Sequence, residues 1–193
     1  MDVNKAIETR RANRSFAPVE ISDELVKCLS EAAQLAPSCF NNQPWRYVFV
    51  REAEPLTQVK QALSAGNAWA RDASLIIAVM SRPEDDCVIK DRVYHQFDTG
   101  MATAFMMLRA TELGLVMHPI AGFDPLQVKA ALNLPEGYQV ICLLMVGVHD
   151  EVIRPSLSDG QKASEPVRPV RRPLEQNFAL DSFNPQLQVA NVR

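Results

Sequence analysis

Apolar positions along the 193-residue chain follow two rhythms. Helical spacing links Val3 with Ile7, then Leu25, Leu29, Ala32, Ala33 and Ala36, then Leu56, Val59 and Leu63. It predicts helices over Val3–Arg11, from a Ser22 cap to Ala36, and over Pro55–Ser64. The second of these has a marked start: the Ser22 hydroxyl to cap it, Asp23 and Glu24 in its first turn, and Ile21 and Val26 placed as a staple. Pro37 ends it. The longest pattern runs from Tyr94 to Leu113, with Phe97, Met101, Phe105 and Leu108 in one stripe. Gly100, Thr103, Met107 and Ala110 form a second face. A helix apolar around most of its circumference is central, and small residues let another helix approach, as at a subunit interface. Gly114 closes this helix; Asp124 and Pro125 open a shorter one over Leu126–Leu132.

The other rhythm is the short unbroken apolar run. Arg46–Arg51, Leu75–Met80 and Tyr138–Val148 predict three buried strands. Leu115–Phe123 holds a turn at Pro119–Phe123, and the polar Glu84–Asp91 after Pro83 reads as a loop. Strands alternating with helices predict an α/β or α+β sandwich. Beyond Asp150 the periodicity fades and Pro155, Pro166, Pro169, Pro173 and Pro185 intervene. Residues 1–150 are therefore expected to form the core, and 151–193 an extended arm. Leu174, Phe178, Leu180, Phe183 and Leu187 in that arm need cover, which a second subunit would provide.

Composition narrows the functional classes. A net charge of −3 gives no general reason to expect nucleic acid or an acidic membrane as partner. The longest apolar stretch, Val140–Val148, is too short to cross a bilayer, and Met1–Arg14 lacks a signal-peptide pattern. Cys28, Cys39, Cys87 and Cys142 are widely spaced without a CxxC pair. Cys28 and Cys142 fall inside apolar patterns and read as buried free thiols, so a reducing, cytoplasmic location is expected. His95, His118 and His149 have no metal-ligand spacing, and no GxGxxG, Walker or GxSxG motif occurs.

Against this background six arginines stand out at two remote stations: Arg10, Arg11 and Arg14, then Arg168, Arg171 and Arg172. Each group suits a solvated surface, and each suits a phosphate, which the guanidinium fork grips well. Brought together, they would demand an anion between them. The loop Ala36-Pro-Ser-Cys-Phe-Asn-Asn-Gln-Pro-Trp-Arg46 holds neutral donors and acceptors at Ser38, Asn41, Asn42 and Gln43. Such a set serves a plain polar turn or the edge of a flat heterocycle.

The segments Arg10-Arg-Ala-Asn-Arg-Ser-Phe16 and Pro37-Ser-Cys-Phe-Asn-Asn-Gln-Pro-Trp45 resemble the nitroreductase family of FMN-dependent oxidoreductases. Leu113-Gly-Leu115, Pro119-Ile-Ala-Gly-Phe-Asp124 and Arg171-Arg-Pro-Leu-Glu175 continue the resemblance in family order. It implies an α+β three-layer sandwich, with a mostly antiparallel sheet flanked by helices, in an intertwined homodimer with FMN sites at the interface. By the same resemblance Arg10, Arg11 and Arg14 match the first flavin-binding segment. Pro37, Ser38, Cys39 and Asn41 match the loop beside the ring, presented by the partner. Ala121 and Gly122 match the turn whose backbone nears the flavin, and Arg171 and Arg172 match the phosphate segment. Cys39 is expected as a wall residue, not a nucleophile. The implied reaction is ping-pong, from NADH or NADPH to a small nitroaromatic or quinone acceptor. Dehalogenase or flavin-destructase chemistry, or a non-catalytic FMN-binding module, are the alternatives. Ala12, Ala121 and Pro169 stand where relatives carry serine, glutamate and lysine, and the Gly66–Ala73 region is short.

Overall fold

The computed structural model describes residues 1–187. In chain order its helices are α1 (Val3–Thr9), α2 (Asp23–Gln34), α3 (Ala53–Gln61), α4 (His95–Glu112), α5 (Pro125–Ala131) and α6 (Asp159–Ser164). The strands are β1 (Phe16–Ala17), β2 (Arg46–Val50), β3 (Leu75–Ser81), β4 (Val88–Ile89), β5 (Arg92–Val93), β6 (Leu115–Ile120) and β7 (Gln139–His149). Helix starts obey the local rules. Asp2, Ser22, Asp124 and Ser158 each accept a backbone N–H at the start of their helix. Gly114, at φ 77°, turns the chain out of α4.

The main sheet is antiparallel throughout. β7 is its spine, pairing with β3 along one edge and with β6 along the other, while β2 pairs with the far side of β3. β1 meets β7 beyond the end of β3, with Phe16 opposite His149. The alternation of β3 splits the core in two. Ile76, Ala78 and Met80 pack with Phe16, Val59, Trp69 and Val128; Leu75, Ile77 and Val79 pack with Leu29, Ala33, Trp45, Ala102 and Met106. Helices thus cover both faces, and the fold is an α+β three-layer sandwich.

Three expectations need amending. Pro119 and Ile120 do not turn but complete β6. The polar run after Pro83 is not all loop, since Val88–Ile89 and Arg92–Val93 pair as a small hairpin. β2 is buried only in part because it lies at the sheet edge. On α4 the buried face is Ala102, Thr103, Met106 and Ala110. The stripe with Phe97 and Phe105 faces outward, at 65% and 41% exposure. The arm past Asp150 has the short helix α6 and then two single 3-10 turns, Leu174–Gln176 and Pro185–Leu187, in otherwise irregular structure; residues 188–193 of the expected arm lie outside the described residues.

Candidate active site

Both arginine stations arrive at one cavity of about 230 Å³, lined by Arg10, Arg11, Arg14, Arg168, Pro169 and Arg171, among others. The chain reaches it twice, between α1 and β1 and just after α6. Arg168 Nη2 donates to the Arg10 carbonyl at 2.7 Å and also to the Glu8 carbonyl. Burial, then the charges of Arg168 and Arg171, lower the pKa of the Arg10 guanidinium from its usual range. Among the described residues, none of these five arginines forms an ion pair with a carboxylate.

The arginines divide by what they touch. Arg11 donates to the Glu165 and Pro166 carbonyls at 2.8 and 3.2 Å, so it fastens the arm to the core. The Arg14 guanidinium stands 5.8 Å from the centre of the Trp69 ring, and its backbone N–H donates to Glu165 Oε1 at 2.8 Å. Ser15 N–H reaches the same oxygen at 2.9 Å, while the buried Oε2 of Glu165 has no partner among the described residues. Behind Trp69, the His118 ring packs at 4.6 Å, with Nδ1 3.0 Å from the Asn13 carbonyl. Burial lowers the pKa of that imidazole. Arg172 is exposed and does not line the cavity, whereas Arg168, beyond the matched pair, does.

Ala121 and Gly122 follow β6. The Gly122 carbonyl accepts from Ser64 N–H at 3.0 Å and from Asn67 Nδ2 at 2.9 Å. A Cβ on Gly122 would stand 2.4 Å from Asn67 Nδ2 and 2.6 Å from Ser64 Oγ, so a side chain there would displace the Asn67 amide that holds this carbonyl.

The loop between α2 and β2 is tied elsewhere. Three of its non-glycine residues, Phe40, Asn41 and Gln43, have φ of 48°, 59° and 51°. The Ser38 hydroxyl accepts the Gln43 N–H at 3.0 Å, Asn42 Nδ2 donates to Asp86 Oδ1 at 3.3 Å, and Gln34 contacts Gln43. Much of the polar set therefore braces the loop itself, while Asn41 and Pro37 remain exposed. The Cys39 N–H donates to Asp98 Oδ2 at 2.6 Å, and Cys39 is disulfide-bonded to Cys87, with Cα atoms 6.2 Å apart. No CxxC spacing points to this pair; Cys28 and Cys142 are free, as expected, though only half-buried. Among the described residues, no hydrogen bond or ion pair joins this loop to the arginine cavity.

The sequence profile of the nitroreductase family matches residues 7–148. The chain belongs to the nitroreductase family. It is similar to a Thermus thermophilus NADH dehydrogenase, 26% identical over 187 residues, which cover 81% of this chain and 91% of that protein. A protein of Archaeoglobus fulgidus with a provisional NADH dehydrogenase/NAD(P)H nitroreductase name is 34% identical over 149 residues, 74% of this chain and 83% of the other. The crystal structure of an oxidoreductase containing FMN superposes with a TM-score of 0.83 at 26% identity, covering 95% of this chain and 94% of that one. A nitroreductase family protein of Clostridium difficile shares the fold at 23% identity and a TM-score of 0.77, with 95% and 100% covered. As a member of this family the protein is an oxidoreductase with FMN as its cofactor. The cavity fits that group, because its unpaired arginines match a phosphate.

Proposed function

We propose that the protein takes electrons from NADH or NADPH and reduces nitroaromatic or quinone-type acceptors by a ping-pong route at an FMN site. The convergence of Arg10, Arg168 and Arg171 from opposite ends of the chain, with no ion pair to a carboxylate among the described residues, carries this reading; Glu165, the one acidic residue lining the cavity, is taken up by the Arg14 and Ser15 N–H groups. Guanidinium groups do not shed their charge near neutral pH, so their mutual repulsion is relieved only by an anion. The FMN phosphate is that anion, held by Arg10, Arg171 and Arg168. Arg11 and Arg14 hold the surrounding backbone, Arg11 through the arm and Arg14 against Trp69.

FMN, when bound, supplies the two-electron chemistry that links donor to acceptor. The Ala121–Gly122 backbone and the Pro37–Asn41 loop provide walls for its ring. That loop has no tie to the arginines of its own chain, which favours its presentation by a second copy. The outward stripe of α4 supports a homodimer: Phe97 and Phe105 are exposed, and a Cβ built on Gly100 meets no atom within 4 Å. Leu174, Phe178 and Leu180 in the arm are exposed as well, and a partner covers them. In this reading residues 1–150 are the flavin-binding core, and the arm from 151 onward completes the site and clasps the second copy. No helix among the described residues is long and apolar enough to cross a membrane.

Anaerobic mixing of the FMN-loaded protein with NADH or NADPH tests the reading. Bleaching of the yellow band, reversed by a nitroaromatic or a quinone, is the expected result. Colour that persists with both donors would leave a binding protein without turnover.

A further inference from the structure

The Cys39–Cys87 bridge lies beside two carboxyl groups that have no cation. Both sulfurs and an Asp86 carboxylate oxygen lie within 4.8 Å of one another. Asp98, in the first turn of α4, is 2% exposed, and its side chain meets that of Asp86. Neither carboxyl forms an ion pair among the described residues. Asp86 Oδ1 accepts from Cys87 N–H at 2.8 Å, but the buried Oδ2 has no donor. A proton shared with Asp98 is the simplest donor for it. Burial first, and then the Asp86 charge, push the Asp98 carboxyl up from the usual carboxylate range; the Cys39 N–H works in the opposite sense. The His95 ring, one turn earlier on α4, is hydrogen-bonded to Ser81 Oγ, 2.7 Å from Nδ1.

We infer that Cys39–Cys87 is a thiol–disulfide exchange site for a dithiol reductant, with the Asp98–Asp86 pair as its proton store. Neither cysteine is fully buried, and a reductant thiolate needs only an approach to one sulfur along the S–S axis. A reductant thiolate attacks one sulfur, the Cys39–Cys87 bond breaks, and a mixed disulfide forms. The departing thiolate takes the shared proton. The second thiol of the reductant, giving its proton to the emptied carboxyl pair, displaces the other cysteine. That cysteine leaves as a thiolate and takes its proton from solvent. The net result is two protein thiols and one oxidised reductant, a two-electron exchange. Reduction also frees a loop whose Phe40, Asn41 and Gln43 sit in the left-handed region, so the bridge restrains the segment assigned above to the flavin ring. The exchange site itself rests on no reading of the flavin.

The test uses the full-length protein in mixtures of reduced and oxidised dithiothreitol, quenched by alkylation and mapped by mass spectrometry. Cys39 and Cys87 are expected to gain their labels together in one two-electron transition, with circular dichroism unchanged. Cys28 and Cys142 should show no such transition. A pair that resists reduction until the protein unfolds would overturn the proposal. So would reduced thiols that bind zinc and escape alkylation. Measuring the reduction rate against pH tests the carboxyl pair. The ratio of wild type to Asp98→Asn should fall several-fold from pH 5 to pH 8, and Asp86→Asn should give the same trend. The reductant's own ionisation cancels in that ratio, and a ratio independent of pH in both variants would remove the proton store.

Discussion

The arginine cavity and the acid pair beside the Cys39–Cys87 bridge pose the same electrostatic problem with opposite sign. In the cavity, Arg10, Arg168 and Arg171 meet without an ion pair, since the one carboxylate there, Glu165, accepts from the Arg14 and Ser15 N–H groups; near the disulfide, Asp86 and Asp98 meet without a cation. The solutions differ because the groups differ. A carboxyl escapes repulsion by keeping a proton, at the cost of a raised pKa. A guanidinium does not release its proton under ordinary conditions, so the cavity must import an anion. The first cluster is thus completed by a ligand and the second by the solvent's protons. One place reads as a binding site, the other as a store of protons for sulfur chemistry.

Removing cations from the cavity should produce the largest effect. Arg10→Ala and Arg171→Ala are each expected to weaken FMN binding by about 1.5–3 kcal/mol, the range for hydrogen bonds to charged groups. Fluorescence titration of the apoprotein with FMN measures it, and unchanged affinity in both would dissolve the contrast.

A smaller effect is expected at the acid pair, and it depends on pH. Asp98 is raised in the fold, so the folded protein keeps a proton that the unfolded chain has already released. Its stabilising contribution is complete below the ordinary carboxylate pKa and is lost as pH climbs through the raised value. Urea denaturation should therefore show wild type losing stability relative to Asp98→Asn as pH rises from about 4. The reverse slope would mean that the carboxylate is charged and satisfied. The smallest effect is expected at Arg172, which is exposed outside the cavity. Arg172→Ala should alter FMN affinity by less than about 0.5 kcal/mol, as surface changes usually do. A loss equal to that of Arg171→Ala would redraw the cavity.

Much of the scaffold was legible along the chain. Local chemistry sets the Ser22 and Asp124 caps and the stop at Gly114, and unbroken apolar runs mark β3 and β7. These signals act over a few residues, so sequence neighbours suffice to read them. β6 was harder, because Pro119 and Gly122 suggest a turn over the whole Pro119–Phe123 segment; pairing of Pro119 and Ile120 with β7 decides otherwise. The outward direction of Phe97 and Phe105 was likewise hidden, since periodicity gives a helix two faces without saying which meets the sheet.

The sequence alone determined the family, the helices and principal strands, and the presence of two arginine groups with a phosphate to seek. Tertiary structure decided that Arg168 joins the cavity while Arg172 stays outside, and that Cys39 meets Cys87 next to Asp86 and Asp98. Helix and strand patterns repeat every few residues and are written locally. Charge clusters and sulfur bridges depend on segments tens to more than a hundred residues apart, and only packing sets those distances.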